Sequence, residues 1–288
     1  MNEKPILGII GGSGLYHFPL LKDTEMVSVT TPFGNPSAPF FIGRINDIKV
    51  AFLARHGIGH HISPSEINYR ANIYGFKQLG VSKIISISAC GSLREELAPG
   101  HIVIPDQIFD LTHKRERSFF GEGCVGHVSV ADPFCPSLSQ LLLDATQRMG
   151  GFAHKGGTYV SIEGPRFSTK AESHVYRQLN MSIVGMTAAP EVFLAREAEI
   201  CYATMAHVTD YDVWHESAEP VTVEMVIATL QENTELAQKT IVELVGLIEN
   251  KQQCTCADAL KNAIITDPIV IPVKARQKLA IFLDKYRI

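Results

Sequence analysis

The run from Cys201 to Val208 is almost continuously apolar and then meets two acids, in Val208-Thr209-Asp210-Tyr211-Asp212. A short apolar run without polar alternation suits a strand covered on both faces, which demands helices above and below the sheet. Pro5 to Ile10, Ile48 to Ala54, Val81 to Ala89, His101 to Phe109, Thr158 to Ile162 and Ser182 to Met186 read as further strands. Helical patterns lie between them. Ser63-Pro64-Ser65-Glu66 offers a cap, a first-turn proline and a capping-box glutamate for a helix that runs to Leu79 and stops at Gly80. Ser137 with Gln140 opens a second helix, which stops at Gly150-Gly151. Val221 to Glu249 is the longest pattern, with Val226, Leu230, Ala237, Ile241, Leu244, Val245 and Ile248 on one face. Unbroken strand–helix alternation predicts one three-layer α/β domain over residues 1–288. The polar stretch Asn250 to Ala257 divides it into a body, 1–250, and a C-terminal extension, 251–288, with a helix predicted from Lys274 to Tyr286.

The totals exclude several classes. A formal net charge of −4 gives no basic field, so nucleic acid is not an expected partner. The longest apolar runs are strand-sized, well short of the roughly 20 residues that span a bilayer, so no membrane association is expected. Met1-Asn2-Glu3-Lys4 runs directly into a strand-like segment without signal-peptide shape, which predicts a cytoplasmic location. The six cysteines, at 90, 124, 135, 201, 254 and 256, match no zinc spacing and read mostly as buried, reduced, small hydrophobes. A bridge within Cys254-Thr255-Cys256 would close a small strained ring, so two thiols are expected there, outside the chemistry.

Chemistry concentrates at strand ends, where open α/β sheets bind ligands. Gly11-Gly12-Ser13-Gly14 follows the first strand, and glycines there let backbone amides and a hydroxyl approach an anion. A dinucleotide site is the rival reading, but the third glycine it needs would fall at His17. The bland reading is a tight turn. Arg55-His56-Gly57 ends another strand, and an arginine there can grip phosphate bidentately. Ser88-Ala89-Cys90-Gly91-Ser92 and Thr187 end two more. In Glu163-Gly164-Pro165-Arg166-Phe167-Ser168-Thr169, Phe167 can stack on a planar ring and Ser168 can bond its edge; a rigid turn with a core phenylalanine is the plain alternative. Asp210 and Asp212 are either two solvated acids or, in an apolar cleft, carboxyls that hold a proton near neutral pH.

Together these segments resemble the trimeric purine nucleoside phosphorylases. The matching stretches are GIIGGSGL, TPFGNPSAP, LARHG, NYRANI, SACGSLRE, DPFCP, IEGPRFS, GMTAAPE and VTDYDVW, in order from Gly8 to Trp214, while the tail beyond Asn250 matches poorly. The resemblance implies a mixed central sheet, a homotrimer with active sites at subunit interfaces, and attack of phosphate on a nucleoside. Phosphate is then a co-substrate, with no metal and no organic cofactor. It implies phosphate ligands Ser13, Arg55, His56, Ser88, Ala89 and Thr187. Met186 is implied at the ribose, and Phe167 and Ser168 at the base. His127 of a neighbouring subunit, with Val223 and Val226, is implied at a 5′-methylthio group. Asp210 and Asp212 would be the catalytic pair at the purine. Ser13 departs from the threonine frequent in relatives, but keeps a hydroxyl.

Relatives that cleave 6-oxopurine nucleosides carry glutamate where this chain has Ser168 and asparagine where it has Asp210. A carboxyl accepts from a 6-amine, whereas an ionised one repels a 6-carbonyl, and a mismatched buried polar pair costs about 1–3 kcal/mol. The resemblance therefore implies phosphorolysis of a 5′-methylthioadenosine substrate. A phosphorylase for inosine, guanosine or methylthioinosine is the alternative within the family. A dinucleotide-dependent oxidoreductase and a nucleoside hydrolase are the alternatives outside it.

Overall fold

The predicted buried runs become the central strands of a mixed sheet with helices on both faces, in a computed structural model that describes residues 6–12, 21–215, 223–248 and 254–288. The inner strands are β1 (Leu7–Gly11), β4 (Ile48–Ala54), β5 (Lys83–Ser92) and β11 (Cys201–Asp210). β1 lies parallel between β4 and β5, and β11 runs parallel to β5 from Cys201 opposite Lys83. Side chains alternate between the two faces, as the two-residue strand period requires. Leu7 and Ile9 face one core with Val50, Phe52, Ile85, Ala203 and Met205; Ile10, Leu53, Ile84 and Tyr202 face the other.

Each face is covered by helices with matching apolar stripes. α2 (Pro136–Arg148) and α5 (Val223–Leu247) cover the first face with Leu138, Leu142, Ala237, Ile241 and Leu244. α1 (Tyr69–Leu79), α4 (Ala188–Glu197) and α6 (Val273–Leu283) cover the second with Ile73, Phe76, Val192, Leu279 and Phe282. The C-terminal extension is thus packed into the core of the single domain. Leu279 and Phe282 are about 1% exposed, and burying each such side chain contributes on the order of 1.5–3 kcal/mol.

β5 is where the sheet forks. Its first half is flanked by β1 and β11, and its end, Gly91 and Ser92, turns to pair antiparallel with β10 (Ile183–Gly185). β10 continues in parallel to β9 (Thr158–Ser161) and β7 (Gln107–Asp110), while β11 pairs antiparallel with β6 (Ile102–Ile104) and β6 in parallel with β8 (Ala153–Lys155). The single strand expected over His101 to Phe109 is therefore two, β6 and β7, in different branches. Pro105 stands at the break, where a missing N–H ends a ladder. β2 (Lys22–Val27), β3 (Phe40–Ile45) and α3 (Lys170–Gln178) complete the body and have no counterpart among the sequence expectations.

Two helix starts differ from expectation. Ser63 and Glu66 do bond, Ser63 Oγ to Glu66 Oε2 at 2.6 Å, but they close one turn only. α1 starts at Tyr69, because the Asn68 side chain accepts from the Ala71 amide and so supplies the cap. α2 starts at Pro136 behind Cys135, not at a Ser137 cap, because proline fits the first position. Gly150, at φ +83°, follows its end as expected.

Candidate active site

The fork in β5 opens a cleft of about 230 Å³ at the carboxyl ends of β1, β4, β5 and β11. Ten of the predicted residues line it: Arg55, His56, Ser88, Ala89, Phe167, Ser168, Met186, Thr187, Asp210 and Asp212. Gly12 is there as well. Ser13 lies outside the described residues, as do the side chains of Val223 and Val226. His127 is exposed and is not in the cleft of its own chain; its amide bonds the Ala263 carbonyl at 2.8 Å.

Arg55 corrects one expectation. It does not hold its fork open for a bidentate anion. The fork is closed on Glu191 in the first turn of α4, with Nε to Oε2 at 2.9 Å and Nη2 to Oε1 at 3.0 Å. Both side chains are almost fully buried. Nη2 also donates to Ser86 Oγ at 2.7 Å and Nη1 to the Ile87 carbonyl at 3.1 Å. Burial opposes the guanidinium charge, but Glu191 more than offsets it and holds the pKa above its ordinary value. Tyr202 Oη donates to Glu191 Oε1 at 2.7 Å and completes the carboxylate's partners. What remains for an anion is the residual positive edge around Nη1, held rigidly at the cleft wall. Removing either partner would strand a buried charge, typically at a cost of about 3–5 kcal/mol.

His56 stacks on His60 with ring centroids 4.2 Å apart, and its Nδ1 lies 2.9 Å from the Ile62 carbonyl. Burial, then the Arg55 charge, push its pKa down to about 4. The neutral ring must carry its proton on Nδ1 to serve that carbonyl, which leaves Nε2 as an acceptor. Such a ring can accept a hydrogen bond from a protonated ligand oxygen at Nε2. Ser88 Oγ is buried with no hydrogen-bond partner among the described residues, and the Thr187 side chain does not cap α4 although it occupies the cap position. Both hydroxyls line the cleft, with the buried Tyr159 hydroxyl beside them.

Opposite them stands the acid pair. Between Val208 and Asp210 the pairing of β11 with β5 slips: Val208 faces Cys90, and Asp210 already faces Gly91. The extra residue, Thr209, makes a bulge, a device that re-aims side chains next to sites. Asp210 Oδ2 accepts from Thr209 Oγ1 at 2.6 Å, and Oδ1 from the Asp212 amide at 2.8 Å. Burial raises the Asp210 pKa to about 6, against those two bonds. Burial raises that of Asp212 too, against hydrogen bonds from the Ser173 and Ser168 side chains. Asp212 sits at φ +51°, in the left-handed region that aspartate tolerates better than most residues. Gly91 is required beside the pair: a Cβ there would stand 2.9 Å from Asp210 Oδ1 and 3.2 Å from the Asp212 Cβ. Trp214 anchors the loop, donating from Nε1 to the Ser92 carbonyl at 2.7 Å under the Arg177 guanidinium.

Phe167 is partly exposed at the rim and Ser168 is buried below it. The wall that carries them is fastened by Arg115, which the sequence reading did not single out. Its Nη1 donates to the Met186 and Ala189 carbonyls, each at 2.6 Å, and its Nη2 to the Glu163 carbonyl at 2.8 Å. Glu191 and His207 were also not foreseen. His207 is about 1% exposed and lines the cleft, and neither of its nitrogens has a partner among the described residues. Glu191 lay within the quoted GMTAAPE stretch, but nothing local tied it to Arg55, 136 positions away.

The model of the phosphorylase superfamily matches residues 6–246. The S-methyl-5′-thioadenosine phosphorylase of Geobacter sulfurreducens is 50% identical over 98% of this chain and 99% of its own length. That of Chloroflexus aurantiacus is 53% identical over 97% and 98%. A methylthioadenosine phosphorylase crystal structure from an antarctic soil metagenomic library superposes with a TM-score of 0.93 at 45% identity, covering 98% of this chain and 100% of its own. The similarity to these relatives therefore takes in the tail that the motifs left unmatched. With the acids and the anion donors in one cleft, this chain belongs to the S-methyl-5′-thioadenosine phosphorylase family of the phosphorylase superfamily.

Proposed function

We propose that this protein cleaves S-methyl-5′-thioadenosine with inorganic phosphate, giving adenine and 5-methylthioribose 1-phosphate. The observation that carries the reading is the buried acid pair facing, across one cleft, hydroxyls and backbone suited to an anion. Phosphate sits among Ser13, His56, Ser88, the Ala89 backbone and Thr187, with Arg55 supplying charge from the wall. Met186 lies under the ribose and Phe167 against the purine face. The bond from C1′ to N9 lengthens first, and its electron pair leaves with the purine. Asp210 gives a proton to N7 of the departing adenine, while Asp212, with Ser168, receives the 6-amino edge. Bound phosphate stabilises the positive ribosyl centre and then forms the new C1′–O bond. The chemistry uses no metal and no organic cofactor.

The acids also favour this substrate over the 6-oxopurine nucleosides, whose carbonyl would meet a second acceptor. The working enzyme is a homotrimer in the cytoplasm, whose neighbouring subunit brings His127 to the 5′ group beside Val223 and Val226. The measurement is adenine release from methylthioadenosine with and without phosphate. Release that requires phosphate supports the reading. Equal release without it makes the protein a hydrolase, and preferred cleavage of inosine or methylthioinosine makes it the alternative phosphorylase.

A further inference from the structure

Four of the six cysteines, read in the sequence as scattered hydrophobes, are brought together by the fold. Cys135, Cys201, Cys254 and Cys256 place their sulfurs within 4.8 Å of one another, with Cys201 and Cys254 3.4 Å apart. They come from three separate places: the start of α2, the start of β11, and the chain that follows α5. Three are buried and Cys254 is half-buried.

We propose that these four thiolates form a closed structural zinc site, independent of the nucleoside cleft. Tetrahedral zinc binds sulfur at about 2.3 Å, which puts ligand sulfurs about 3.8 Å apart, so the cluster needs to tighten by roughly 1 Å at most. All-thiolate tetrahedra suit zinc or iron over the harder divalent ions. A set of four sulfurs in mutual reach fits a tetrahedron, whereas a bridge within Cys254-Thr255-Cys256 would close a strained ring. Each thiol releases its proton to solvent as its bond to zinc forms. Zinc with four thiolates carries two excess negative charges, and the surroundings offset them. Cys135 stands at the N-cap position of α2, so its sulfur lies at the positive end of that helix. Arg196 on α4 reaches the Cys256 sulfur with Nη1 at 3.3 Å. Positive helix ends and outer-shell donors of this kind favour thiolate ligands. The ion would pin the root of the C-terminal tail to the sheet and to α2.

The full-length protein, purified under reducing conditions without chelator, is expected to hold about one zinc per chain by elemental analysis. Cobalt substitution should give the intense visible absorption of a tetrahedral thiolate site. Cys254→Ser with Cys256→Ser should weaken zinc binding by more than about 100-fold, beyond the loss expected for an outer-shell partner. If that variant does not fold, thiol alkylation of the wild-type chain decides: bound zinc should protect Cys135, Cys201, Cys254 and Cys256 and leave Cys124 unchanged. Metal-free protein, disulfides among the four in reduced preparations, or zinc binding undiminished in the variant would each overturn the site.

Discussion

At the residue scale, the roles proposed for Asp210, proton donor and base selector, rest on an environment of opposing forces. Two hydrogen bonds hold the charged form, and burial outweighs them, bringing the pKa to about 6. The folded cleft therefore holds the proton more tightly than water would, and the protonated fraction falls as pH rises through about 6. With phosphate saturating, kcat/KM should lose activity on that alkaline side. Asp210→Asn keeps the shape but removes the proton; it should lower kcat for methylthioadenosine at least about 100-fold and abolish that limb. Near-wild-type kcat in the variant would remove Asp210 from the chemistry. The acid pair was legible in the sequence because a strand followed by two acids is a local pattern. The bulge at Thr209 that aims the first acid, and the glycine that makes room for both, belong to pairings between β5 and β11 that no local pattern records.

At the scale of elements, α4 ties its two ends to different parts of the molecule through buried carboxylates. Glu191, near its start, neutralises Arg55 at the cleft. Glu197, at its end, accepts from Ser118 Oγ and the Phe119 amide, both at 2.7 Å. Burial raises the Glu197 pKa from 4.5 to about 7, against those bonds. A folded value above the unfolded one stabilises the fold fully below pH 4.5, and that contribution is lost as pH rises through about 7. Glu197→Gln cannot ionise, so its melting temperature should exceed that of the wild type above pH 7 and lose the advantage below 4.5. A difference in Tm that is constant across this range would show that Glu197 does not titrate in the fold. Sequence reading found the strand that precedes α4 but not the helix itself. Its apolar residues give no one-sided stripe, since the helix is buried nearly all round, and its backbone is kinked at Ala189.

At the scale of the whole molecule, one chain leaves His127 exposed and away from its own cleft, beside the C-terminal tail. If a neighbouring subunit supplies it, His127→Ala should raise the KM for methylthioadenosine with little change in the KM for phosphate, while sedimentation still reports a trimer. A fully active monomer would end that idea. The sequence by itself determined the alternation of buried strands and helices, hence three layers. It also determined the strand ends rich in glycine and hydroxyls, and the acids that share their cleft, because each is a short-range pattern of polarity, glycine placement or motif. Tertiary structure alone decided which groups meet. It spent Arg55 on Glu191, split His101 to Phe109 between two branches of the sheet, drew the tail into the core and gathered four distant cysteines. Such pairings span tens to more than a hundred residues. They are fixed by how layers pack and where β5 forks, and no residue's immediate neighbours in the chain carry that information.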